Sequence, residues 1–152
     1  MPEHLERGAV PDAGSRAGAG PEAVVRPARR GEMPRIRELV SLFPDDLVQD
    51  SLPRIPSFFV AESEGTIVGC CALQVYSRRL AEVRSLAVHP DFQGRGIAAR
   101  LVDACRERGR RRRVRQLFAV TSQPDFFERR GFAVHSGWKT ALFADLDDRP
   151  RD

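Results

Sequence analysis

Leu80 to Cys105 reads LAEVRSLAVHPDFQGRGIAARLVDAC, a strand, a glycine turn and a helix in succession. Leu80 to Val88 is rich in Leu and Val and free of Gly and Pro until His89-Pro90 interrupts it. Asp91 to Gly96 is a tight polar turn with glycines at Gly94 and Gly96. Ile97, Ala98, Leu101, Val102 and Cys105 then form one apolar helical stripe, with Arg100, Asp103, Arg106 and Glu107 on the wet side. A helix that opens on such a turn binds anions. Its first-turn N–H groups lack internal partners, the macrodipole favours negative charge there, and glycine has no Cβ to keep a phosphate off the backbone. Gln93, Gly94, Arg95, Gly96, Ile97, Ala98 and Ala99 are therefore expected to hold a phosphate or pyrophosphate.

No Gly-Lys-Ser/Thr follows the turn, which excludes a Walker loop, and Ala99 stands where a GxGxxG dinucleotide motif needs its third glycine. The segment does match Gln/Arg-x-x-Gly-x-Gly/Ala. With Leu86-Ala87-Val88-His89-Pro90 before it, it resembles the acetyl-CoA site of the GNAT acyltransferases. The resemblance implies an α+β (or α/β) fold with a central mixed, mostly antiparallel sheet of about six to seven strands and helices on both faces. It also implies that the strand at Leu80–Val88 and a later parallel strand splay apart, so that pantetheine lies between them. Leu86, Ala87 and Val88 would then meet the acetyl-pantetheine arm through their main chain. Leu86 would supply the N–H that steadies the oxyanion. Acetyl-CoA is the implied co-substrate.

Acetyl transfer to an amine needs a neutral amine and a stabilised oxyanion, and the leaving thiolate takes up a proton. Alternation puts Leu80, Glu82, Arg84, Leu86 and Val88 on one strand face, so Glu82 and Arg84 are expected beside the catalytic edge unless a bulge shifts the parity. By resemblance, Glu82 matches a Glu that deprotonates the amine through water; the competing reading is a cross-strand ion pair with Arg84. Arg84 is a candidate clamp for an acceptor carboxylate. Thr121 to Phe132, TSQPDFFERRGF, resembles the GNAT segment ending Phe-Tyr-Glu-x-x-Gly-Phe, with Phe127 at the tyrosine position and so expected at the coenzyme. Phe127 cannot protonate a thiolate, which leaves that task to water or another residue. Tyr76 is the chain's one tyrosine.

The stretches GCCALQVYSRRLAEVRSLAVHPDFQGRGI and FAVTSQPDFFERRGF more narrowly resemble short amino-acid N-acetyltransferases of the N-acetylglutamate synthase type. That implies an amino acid as acceptor, with glutamate the leading candidate, and Arg84, Thr121, Ser122 and Lys139 as acceptor ligands. Other amines, namely a polyamine, an aminoglycoside or a protein N-terminus, and a non-catalytic acetyl-CoA sensor are the rival readings.

At 152 residues, with 41% hydrophobic residues, the chain suits one globular domain. No apolar run is long enough to span a membrane, and residues 1–21 lack a signal-peptide core, so a cytoplasmic location is expected. Residues 1–21 read as a disordered leader, 22–145 as the catalytic domain and 146–152 as a charged tail. Cys70, Cys71 and Cys105 read as reduced core residues, and neither they nor His4, His89 and His135 have metal-ligand spacing, so no metal is expected. His89 reads as a turn residue.

Arg108 to Arg115 holds six arginines in eight positions. It reads as a solvated helix end with Gly109 as its cap, as an attractor for coenzyme phosphates, or as a nucleic-acid patch. No recognition motif supports the last, so no nucleic-acid partner is expected.

Along the rest of the chain the pattern predicts a strand at Ala23–Arg26, a helix at Gly31–Phe43 and a short helix and loop over Asp45–Pro56, the loop being a candidate acceptor wall. Strands follow at Ser57–Glu62 and Thr66–Tyr76, joined as a hairpin, and at Val114–Thr121, parallel to Leu80–Val88. A short helix at Pro124–Arg130 and strands at Gly131–His135 and Trp138–Phe143 complete the sheet, whose late edges make a homodimer plausible.

Overall fold

A computed structural model describes residues 22–135 and Ala144. Five strands form one sheet in chain order: β1 (Val24–Pro27), β2 (Phe58–Ser63), β3 (Thr66–Val75), β4 (Leu80–Val88) and β5 (Gln116–Phe118). The first four pair antiparallel, and β5 returns parallel to β4 after helix α2 (Ile97–Arg111). That is the mixed α+β sheet expected, with fewer strands among the described residues. Gly131–His135 forms no strand, and residues 138–143 lie outside the description.

Helix α1 (Met33–Val40) seals one face of the sheet. Its Ile36, Leu39 and Val40 recur three and four apart and bury against Phe58, Val60, Ile67, Cys70, Ala72 and Ala87. Pro34 sits in its first turn, where a missing N–H costs nothing. Over Asp45–Pro56 no α-helix forms; a turn leads to a 3-10 helix at Ile55–Ser57, and the Gln49 amide reaches back to the Val40 and Phe43 carbonyls.

Helix α2 and the short α3 (Pro124–Glu128) cover the other face. The stripe Ile97, Ala98, Leu101, Val102 and Cys105 is buried against Val68, Leu73, Val83 and Val88. Each large apolar side chain so buried stabilises by about 1.5–3 kcal/mol. Gly109 is not the cap of this helix. It lies inside α2, buried, and the helix runs on to Arg111 with Arg112 as C-cap. The parallel strand expected over Val114–Thr121 is shorter, since only Gln116–Phe118 pairs with β4.

Candidate active site

Alternation along β4 holds from Leu80 to Arg84. Ala81 and Val83 face the α2 core, while Glu82 and Arg84 stand opposite Gln74 and Ala72 on the α1 face. The ladder then slips. Arg84 pairs with Ala72 but Ala87 with Cys70, so Ser85 and Leu86 together oppose Cys71. Ser85 takes φ 54°, the left-handed conformation that lets a strand absorb an extra residue. Beyond it the phase is reversed: Leu86 and Val88 pack with the α2 core and Ala87 with the α1 core. The expectation that Glu82, Arg84, Leu86 and Val88 share one face is corrected by this bulge. The side chains of Leu86, Ala87 and Val88 are buried, which leaves their main chain as what they can offer a ligand. The Cys70 thiol donates to the Ser85 carbonyl at 3.3 Å and holds the bulge in place.

β5 accompanies β4 only at Leu80, Ala81 and Glu82. Among the described residues, Val83–Val88 therefore has no strand beside it on that side. The His89 N–H donates to the Val68 carbonyl at 2.8 Å, so alternation aims the Val88 N–H the other way, into the gap. Gln93 Nε2 donates to the Val88 carbonyl at 3.0 Å and ties the following turn to the strand end. His89 is part of that turn: its Nδ1 accepts the Asp91 N–H at 3.1 Å.

Gly94 and Gly96 both take φ 77°, and a Cβ at either would meet no protein atom within 4 Å. Gly96 caps α2; no side chain bonds to the first-turn donors, and no acidic residue stands among them. Ile97, Ala98 and Ala99 bury their side chains and present backbone N–H groups alone. The Arg95 guanidinium lies 4.9 Å over the Phe92 ring. Bare donors, a positive dipole end, open space and a nearby cation suit a phosphate-bearing coenzyme.

Glu82 is held firmly. Tyr76 Oη donates to its Oε1 at 2.6 Å, and Arg84 Nε lies 3.9 Å from the same oxygen. The Tyr76 ring stacks on Phe118, the β5 partner of Glu82, with centroids 6.1 Å apart. The hydrogen bond to Glu82, with burial adding to it, raises the Tyr76 pKa above its ordinary value. Arg84 is a quarter exposed and makes no bidentate contact with Glu82, so its fork can still meet a carboxylate. Reading the sequence did not place Tyr76 in the site. Counting the hairpin register back from the Ser77–Arg79 turn would have done so, because Gln74 faces Glu82 and Tyr76 is its diagonal neighbour.

Thr121 and Ser122 follow β5, but no hydrogen bond joins either to Glu82 or Arg84. Thr121 Oγ1 accepts the Gln123 N–H at 2.9 Å, and Ser122 Oγ donates to Asp46 Oδ1 at 3.1 Å, linking this loop to the segment that covers the α1 face. Phe127 lies in the core, edge-on to Phe126 and Phe132 at 5.1 and 5.2 Å. It also lines a cavity of about 1030 Å³ along β5 and α3, whose walls include Thr121 and His135 but neither Glu82 nor the 93–99 turn. Lys139 lies outside the described residues.

Cys70 and Cys71 are held as thiols by burial. Burial pushes the Cys70 thiol up to about 12, and burial raises Cys71, whose sulfur is 3.6 Å from that of Cys105. Among the described residues no three His, Cys, Asp or Glu side chains gather into a metal-binding group, and no helix is long and apolar enough to cross a membrane. The arginine run is partly structural. Arg108 lies 3.8 Å over the Phe59 ring and donates to the Pro56 carbonyl, while Arg110 and Arg111 pair with Glu107.

Residues 54–134 match the family model described as an acetyltransferase (GNAT) domain. An amino-acid acetyltransferase of Mycobacterium tuberculosis is 33% identical over 133 residues, covering 82% of this chain and 75% of that protein. An uncharacterised N-acetyltransferase of Chlorobaculum tepidum is 38% identical over 85 residues, 56% of this chain; the chain spans just 55% of that relative's length. Among solved structures, the Mycobacterium tuberculosis protein Rv2747 in complex with CoA superposes with a TM-score of 0.70 at 34% identity, covering 78% of this chain and 76% of that one. N-acetylglutamate synthase from Neisseria gonorrhoeae, complexed with coenzyme A and N-acetyl-glutamate, superposes at 0.69 with 27% identity, over 75% of this chain and 29% of that one.

Proposed function

Because the chain belongs to the GNAT acetyltransferase family, we propose that it transfers an acetyl group from acetyl-CoA directly to the α-amine of an amino acid, with glutamate as the preferred acceptor. The observation that carries this reading is the end of the β4–β5 ladder at Glu82–Phe118, which leaves Val83–Val88 as an open edge leading to the Gly94–Gly96 turn. The pyrophosphate would lie on the first-turn N–H groups of α2. The pantetheine amides would take the main-chain groups that β5 leaves free, the Val88 N–H included.

When bound, acetyl-CoA supplies an activated acyl carbon and a thiol leaving group. The main chain freed from the ladder at Ser85–Leu86 donates a hydrogen bond to the acyl oxygen as negative charge gathers there. Glu82 takes one proton from the acceptor ammonium. It lies four residues before Leu86, across the bulge, and its side chain is on the opposite face, so the proton travels through water. The amine nitrogen bonds to the acyl carbon and gives its second proton to solvent, the carbon–sulfur bond breaks, and the sulfur leaves with its electron pair and takes a proton from solvent. Arg84, on the face of Glu82, holds the acceptor's carboxylate. A small-molecule acceptor, a cytoplasmic location and no resident metal belong to the same reading.

The test is thiol release from acetyl-CoA across a panel of amino acids, polyamines and peptides. Glutamate is expected to turn over fastest, and Glu82→Gln to lower kcat at neutral pH by about a hundredfold with coenzyme affinity unchanged. Silence with every amine, alongside tight coenzyme binding, would replace the enzyme by a coenzyme sensor. A fast polyamine would move the acceptor class.

A further inference from the structure

We propose that Tyr76 is a positioning residue for the reaction: its hydroxyl fixes the Glu82 carboxylate in the orientation in which it takes the acceptor's proton, and Phe118 fixes Tyr76 in turn. This rests on Glu82 being the base.

Three observations carry the inference. The Tyr76 Oη–Glu82 Oε1 distance of 2.6 Å is that of a charge-assisted hydrogen bond between a hydroxyl and a carboxylate. Tyr76 is itself tethered at both ends. Its backbone N–H donates to the Leu80 carbonyl at 3.0 Å, and its ring stacks on Phe118 with an interplanar angle of 24°. Finally, Phe118 is the last residue of β5 to pair with β4, and it pairs with Glu82. The residue at which the sheet opens for the coenzyme is thus the one that backs the tyrosine holding the base. Coenzyme edge and proton acceptor are set in register by a single aromatic contact.

Arg84 lies on β4, 3.9 Å from the same carboxylate oxygen, and acts on the Tyr76 hydroxyl as well, opposing the effect of Glu82. β3 contributes the neutral Gln74 opposite Glu82, and β5 contributes Phe118. The tyrosine donor holds the carboxylate in one orientation by a hydrogen bond to Oε1.

Tyr76→Phe keeps the ring and its stacking and removes the hydroxyl. With glutamate as acceptor, kcat is expected to fall roughly tenfold at neutral pH, with the acetyl-CoA KM unchanged. In a Glu82→Gln background the same change should have no further effect. Because Tyr76 is the single tyrosine of the chain, its tyrosinate absorbance titrates it alone. Its pKa should drop in the Glu82→Gln variant, a readout that needs no acceptor. An unchanged titration, or a Tyr76→Phe loss equally large in the Glu82→Gln background, overturns the inference. Should Glu82→Gln leave turnover intact, the assignment of the base fails, and the role of Tyr76 fails with it.

Discussion

At the scale of single residues, the decisive one is Ser85, and nothing in its identity announces it. Serine in the left-handed region costs roughly 1 kcal/mol that glycine would not incur. Ser85→Gly is expected to raise stability by up to about 1 kcal/mol in denaturant melts while leaving the bulge in place. The strand that carries Glu82 and Arg84 and the glycine turn at 93–99 were legible because residue type and spacing set both. The face that Glu82 occupies was not, since alternation counted along LAEVRSLAV assumes no inserted residue. Tyr76 escaped for a different reason: its partner is fixed by the register of a hairpin, a relation between two strands that neither strand states alone.

At the scale of elements, the strand–turn–helix unit was legible nearly residue for residue, because period two gives way to period 3.6 within one short stretch. The end of α2 was misplaced because glycine is a common cap and the arginines beyond it suit a helix terminus. Burial decided otherwise: Gly109 fits beneath Leu117, and a Cβ there would stand 3.4 Å from Leu117 Cδ2, an ordinary contact. Gly109→Ala is accordingly expected to stabilise the protein by up to about 1 kcal/mol, read as a rise in Tm. Gly96→Ala should do the opposite to ligand binding. The left-handed backbone would relax and a methyl would enter the cradle, weakening coenzyme affinity about tenfold by calorimetry. The brevity of β5 was not legible, because VRQLFAVT carries strand propensity throughout and pairing, not propensity, ends it.

At the scale of the whole molecule, two cores are pressed on one sheet, and Arg26 of β1 locks the α1 side shut. It bonds Glu32 ahead of α1 and Glu62 of β2, each at 2.7 Å. The Arg26 guanidinium holds the Glu32 carboxyl at about 2, below its ordinary 4.5, and Glu32 in turn raises Arg26. A depressed carboxyl contributes stability that is complete above its unfolded pKa and is lost as pH falls from about 4.5 toward 2. Glu32→Gln is therefore expected to cost on the order of 1 kcal/mol at pH 7, after solvent screening, and next to nothing near pH 2. Chemical unfolding at the two pH values measures the difference. The extra residue in β4 has a consequence of another kind. Excising that one residue would leave a regular ladder in which every flanking side chain keeps its present face, with Arg84 opposite Ala72, Leu86 opposite Cys71 and Ala87 opposite Cys70. A single-codon deletion at Ser85 is therefore expected to keep the fold, read as a retained cooperative melt, while removing the kink at which the acyl oxygen is proposed to bind and so lowering kcat.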